Sequence, residues 1–112
     1  MALIYHLAKR SDWEEARVTG PYRAASLAQE GFIHCSRDEE QMLGVANRRF
    51  AGMEDVLVLE VDTDRLTAPV KHEPSRSGEI YPHIYGPINV DAVVGVRPLI
   101  LDLHGKFSKS MS

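Results

Sequence analysis

Alternating apolar positions open the chain. In "LIYHLA", Ile4, His6 and Ala8 share one side of an extended segment and Leu3, Tyr5 and Leu7 the other, which predicts a first strand. The period then lengthens. "SDWEEARVTGP" sets Trp13, Ala16 and the alkyl stem of Arg17 along one helical stripe. Ser11 with Glu14 three residues on reads as a capping box, and Gly20 with Pro21 ends the helix. "SLAQEG" suits a turn or a single helical turn, and "FIHC" predicts a short second strand. Ser36 and Glu39 repeat the capping-box spacing. They precede a helix with Met42, Val45, Ala46, Arg49 and Phe50 at helical spacing, closed by Gly52.

The near-continuous apolar run "DVLVLEVDT" predicts a strand covered on both faces. "DTDRL" turns the chain and "APVKHE" follows as a short edge strand. "PSRSGEIYPHIYGPI" is rich in Pro, Gly and Ser and reads as a loop, packed down by its aromatics and isoleucines. "DAVVGVRPLILDL" predicts a final strand pair, or one long strand broken at Gly95 and Pro98. Five or six strands with two principal helices, and no internal repeat, predict one α+β domain over residues 1–104 and a flexible tail at 105–112.

Composition fixes the setting. The 112 residues are 44% hydrophobic and 26% charged, an ordinary globular balance. A chain of this size buries roughly 65% of its unfolded surface, enough for one core. A net charge of −3 gives no general attraction to nucleic acid or anionic membrane, so neither is expected as a partner. The single cysteine excludes an internal disulfide, and no CxxC cluster points to structural zinc. The start lacks the apolar stretch and cleavage site of a signal peptide, and no run approaches the ~20 apolar residues of a membrane helix. A cytoplasmic protein is expected.

Two histidine-centred corners carry the candidate chemistry. "EGFIHCSRDEE" puts His34 at a strand end and Ser36 at the predicted helix cap. The backbone of Arg37 and Asp38, the Ser36 hydroxyl and His34 could there hold a phosphate or carboxylate, although Asp38, Glu39 and Glu40 already satisfy the helix dipole. Ser36 serves equally as a cap alone. In "EIYPHIYGPI", His83 and Tyr85 alternate in an extended segment and can face one cleft. The bland alternative is a core tyrosine with a satisfied hydroxyl and a histidine bonded to a carbonyl. His6 and His34, as polar residues in apolar strands, need partners. Glu73 is the best-placed carboxylate and Glu79 the second, whereas His72 and His104 read as surface residues. Cys35 alternates away from His34, which excludes a thiol–imidazole pair and leaves a small packed hydrophobe. His6, His34, His83 and Glu73 are all acceptable zinc ligands, but HxH, HxxxH and HExxH spacings are missing, so no metal is expected.

"IYHLA", a tryptophan soon after, "EGFIHCS", "VANRRFAG", "VLVLEVD" and "YPHIYGPI" together resemble a bacterial family, domain of unknown function 952. The match runs from residue 3 to about residue 101, with "GFIHCS" and "PHIYGPI" its most specific pieces. That family looks related in fold to the ADP-ribosyltransferases, whose small split β-sheets hold NAD in a central cleft. RNA 2′-phosphotransferases are the nearest functional analogue. The resemblance implies His6 against the nicotinamide-side ribose or phosphates, with His34 and Ser36 supplied by the second motif. The superfamily's late glutamate, which orients a ribose hydroxyl, has no clear counterpart among Glu73, Glu79, His83 and Tyr85. The basic cluster expected for an RNA end is also missing, so that substrate is not carried over.

The chain is therefore expected to bind NAD or another phosphorylated nucleotide in a cleft where His6, His34 and His83 converge. His6, His34, Ser36 and Tyr85 would contact the ligand. His83, Glu73 and His34 would carry transferase or glycohydrolase chemistry at the ribose. Imidazole suits this role because its ordinary pKa lies near 6.5. The alternative is a non-catalytic small-molecule-binding or sensor domain using the same cleft.

Overall fold

The computed structural model describes residues 2–101 and 107–108; His104 and all of the expected 105–112 tail except Phe107 and Ser108 lie outside the described residues. Strand β1 (Leu3–Lys9) runs straight into α1 (Arg10–Thr19), followed by α2 (Ala25–Glu30), β2 (Ile33–His34), α3 (Glu39–Arg49) and β3 (Val56–Asp62). Then come β4 (Val70–Pro74), β5 (Ile80–Ile84), β6 (Val93–Pro98) and a hairpin of β7 (Ile100–Leu101) with β8 (Phe107–Ser108). Among the described residues the fold is α+β, with the two expected principal helices, the short α2 between them and two three-stranded sheets beside the small hairpin. No helix among the described residues is long and apolar enough to cross a membrane.

The first sheet has the order β1-β3-β6, and every pairing in it is antiparallel. Its centre is β3, which explains the apolar run. Leu57, Leu59 and Val61 join Ile4 and Ala8 in the main core, while Val56 and Val58 are buried on the opposite face. On that opposite face Arg97 donates to Glu60 at 3.2 Å and to Glu39, at the start of α3, at 2.5 Å. Strand β6 continues through Gly95 instead of breaking there. Gly95 lies opposite Glu60 where the register shifts, and a Cβ at Gly95 would come within 2.1 Å of the Glu60 carboxylate. The glycine makes room for that side chain.

The second sheet has the order β2-β5-β4, so the segment expected to be a loop supplies its central strand. Its proline is tolerated because Pro82 sits where β2 stops pairing, and its carbonyl still accepts the Cys35 N–H at 3.0 Å. A tight turn closed by Gly78 N–H to Ser75 O at 2.9 Å joins β4 to β5. The sheets meet edge to edge, where Tyr5 and Ser36 exchange backbone hydrogen bonds of 2.8 and 2.7 Å.

That junction corrects the expected helix starts. Ser36 is buried in the bridge, and α3 is capped two residues later by Asp38, whose carboxylate accepts the Gln41 N–H at 2.7 Å. Gln41 in turn accepts the Arg37 N–H at 2.9 Å. Likewise α1 begins before Ser11, with Lys9 at its cap and no side-chain capping bond, because the chain enters the helix directly from β1. Glu14 pairs with an exposed Arg17 at 2.6 Å, leaving Trp13 and Ala16 as the buried stripe. Helix α3 ends at Phe50, and Gly52 lies in the following turn with φ of 77°.

Candidate functional site

Alternation along β5 turns Pro82 and Ile84 inward and sends His83 and Tyr85 to the other side. His83 pairs across the sheet with His34 of β2 and with Lys71 of β4. One outer sheet face therefore gathers Phe32, His34, Lys71, Glu73, His83 and Tyr85, while Ile33, Cys35 and Ile84 pack into the core behind it. This face is open rather than enclosed. The His83 side chain is 11% exposed, Glu73 37% and His34 50%, so His34 is not the buried polar residue expected of its strand.

Glu73 organises one half of the face. Its Oε1 accepts the His83 Nδ1–H at 2.8 Å and the Tyr85 hydroxyl at 2.5 Å. A carboxylate only accepts, so Nδ1 of His83 carries the proton and the neutral ring keeps its lone pair on Nε2. The Tyr85 bond, then the His83 bond, holds the Glu73 carboxyl below its ordinary range, and the same Tyr85–Glu73 bond raises the phenol. The Lys71 ammonium stands 5.1 Å from the Tyr85 ring centroid.

His34 forms the other half. Its Nε2–H donates to Glu30 at 2.8 Å, four residues upstream at the end of α2, and that bond lowers the Glu30 carboxyl. The neutral ring is thus held in the opposite tautomer, with its lone pair on Nδ1. Its ring meets that of His83 edge to face, with centroids 5.4 Å apart. Phe32 stacks on His83 at 4.1 Å and lies 5.4 Å from Tyr85.

His6 does not join this face. It stands between Ile4 and Ala8 on the core side of β1, where its Nδ1–H donates to the His34 carbonyl at 2.7 Å. Its Nε2 then accepts from the Tyr22 hydroxyl at 2.9 Å. Burial lowers the imidazole to about 4 and raises the Tyr22 phenol. Both ring nitrogens are committed, so a ligand-contacting role for His6 gives way to a brace beneath β2.

The anion cradle expected at the start of α3 is also not formed, because Gln41 takes the Arg37 N–H and Ser36 is buried against Tyr5. A hollow of about 230 Å³ beside α3 is lined by Arg37, Gln41, Arg48 and Glu79 among others. Arg48 links it to the second sheet by donating to the Tyr81 hydroxyl at 2.9 Å. Cys35 is buried, which pushes its thiol up, and His72 is exposed. Among the described residues no three His, Cys, Asp or Glu side chains are grouped to hold a metal. Phe32, Glu30 and Tyr22 are additions that sequence reasoning missed. Phe32 had a usable signal in its alternation with His34, whereas Glu30 lies across the Gly31 turn, where helical spacing does not apply.

The crystal structure of protein CC0527 from Caulobacter crescentus is similar to this chain, with 34% identity and a TM-score of 0.84 over 95% of this chain and 93% of that one. A double methionine variant of the same protein matches at 33% identity with the same TM-score and coverage. Its solution NMR structure matches at 34% identity and a TM-score of 0.81, over 95% of this chain and 91% of that one. None of the curated proteins matches in sequence. Residues 7–96 match the family described as Protein of unknown function (DUF952), and the chain belongs to that family.

Proposed function

We propose that the outer face of the second sheet binds a phosphorylated nucleotide, with NAD as one candidate, and performs acid–base chemistry at its ribose. The observation that carries this reading is the sharing of one Glu73 oxygen by His83 and Tyr85, with His83 nearly buried and Glu73 partly open to solvent. Such a carboxylate orients an imidazole and stabilises its protonated form, as acid–base catalysis requires. Phe32 and Tyr85 offer aromatic surface to a base, and Lys71 offers a cation to a phosphate. The two three-stranded sheets support the kinship with ADP-ribosyltransferases that the sequence motifs imply. In that setting Glu73 is the candidate for the carboxylate that steadies a ribose hydroxyl.

Thermal shift and NMR titration with NAD, ADP-ribose and AMP test the binding. The parent protein should be stabilised by at least one of them, with affinity reduced roughly ten- to a hundred-fold in His83→Ala and Lys71→Ala, as expected for lost charge-assisted contacts. Binding without turnover of any nucleotide would make this a binding or sensor domain. No response to the whole panel would remove the nucleotide reading.

A further inference from the structure

Building on that nucleotide reading, we infer that the face hydrolyses a cyclic phosphodiester at the ribose, with nucleoside 2′,3′-cyclic phosphates as its substrate class. Three observations carry this. First, there are two imidazole–carboxylate pairs rather than one, His83 with Glu73 and His34 with Glu30, and their rings meet at 5.4 Å. Second, the pairs use opposite ring nitrogens, Nδ1 of His83 and Nε2 of His34, so each imidazole keeps its other nitrogen for a reacting proton. Third, Lys71, His83 and His34 form one row across the three strands, which sets a cation next to His83 on the side away from His34.

The chemistry needs this number of groups. Loss of a pyridinium base from a ribose needs no proton on the leaving nitrogen, so a second oriented imidazole would be idle. Opening a cyclic phosphate by water needs both a base and an acid. His34, half-exposed to solvent, removes a proton from water as the oxygen bonds phosphorus. The P–O bond to one ribose oxygen breaks, and that oxygen takes a proton from the His83 imidazolium, which Glu73 stabilises. The products are one ribose phosphomonoester and one free hydroxyl. The two imidazoles exchange protonation states and are reset through solvent, with no further reactant.

Glu30 and Glu73 face the site against Lys71, with Arg49 near enough to act on Glu30. Two carboxylates against two cations leave the site near neutral, so it can hold the single negative charge of a cyclic diester.

Incubation of the full chain with adenosine 2′,3′-cyclic phosphate, followed by phosphorus NMR, should show conversion to a monoester. The rate should follow a bell-shaped pH profile set by the two histidines among Glu30, Glu73, Tyr85, Lys71 and Arg49. His34→Ala and His83→Ala should each slow turnover about 100- to 10,000-fold with a smaller change in KM. Added imidazole should restore part of the rate to the half-exposed His34→Ala site. Nucleotide binding without hydrolysis of the cyclic phosphate would overturn this proposal and leave the binding reading intact. Full activity in either variant would also overturn it. A parent protein that neither binds nor hydrolyses any nucleotide would remove both.

Discussion

Tyr85 donates its hydroxyl at 2.5 Å to the same Glu73 oxygen that receives the His83 ring. The bond resists ionisation of the phenol and protonation of the carboxylate, so each group reports on the other. In Glu73→Gln, Tyr85 should titrate closer to the ordinary tyrosine value of about 10. Phenolate absorbance measured against pH in parent and variant checks this. Equal titration in both would mean that the bond is not maintained in solution.

His6 predicts an acid-sensitive fold. An unfolded histidine binds its proton near 6.5, whereas the buried ring does so only near 4. Between those values the unfolded state holds more protons, so stability falls as pH falls, by about 1.4 kcal/mol per unit at most. Glu30 and Glu73, both lowered, add to acid loss only below the ordinary carboxylate range. Denaturant unfolding at pH 5.0, 5.75 and 6.5, chosen as roughly the upper part of that window, should therefore isolate His6. The parent should lose stability more steeply than His6→Asn. Parallel slopes would show that the ring is not buried neutral.

The helix starts give a paired test. Asp38→Ala removes the side-chain cap of α3 and should cost about 0.5–2 kcal/mol. Ser11→Ala lies inside the first turn of α1 with no capping bond and should stay within about 0.5 kcal/mol of the parent. Thermal or urea unfolding of both variants decides between these positions and the caps suggested by serine spacing.

Those caps show where local pattern stops being informative. Ser36-x-x-Glu39 and Asp38-x-x-Gln41 fit the same rule, and the choice is made by a remote event, the bridge between Ser36 and Tyr5. Strand β3 was legible because burial on both faces writes itself into consecutive residues, and β1 because one buried face writes itself into alternate ones. Strand β5 was hidden by Pro82 and Gly86, since its suitability for a central position depends on where β2 stops pairing. Alternation put His83 and Tyr85 on one side, but their meeting with Glu73 needs the β4–β5 hairpin, which the loop reading did not contain. Alternation put His6 on one side with Ile4 and Ala8, but the bonds to Tyr22 and the His34 carbonyl that commit its ring are remote contacts no local period could reveal.

Stability separates the site from the core that supports it. Trp13 is buried in the main core with Ile4 and Ala16, so Trp13→Ala leaves a cavity as well as losing apolar burial. Its cost should be about 3–5 kcal/mol. The His34 ring is half-exposed, and its main polar partner, Glu30, is exposed to a similar extent and can turn to water. His34→Ala should therefore change stability by no more than about 1 kcal/mol, the range of exposed ion pairs. A melt of His34→Ala close to the parent, beside a strongly lowered Trp13→Ala, would show that the residue is available for chemistry at little structural cost. Equal losses in the two variants would instead place His34 among the groups that hold the sheet together.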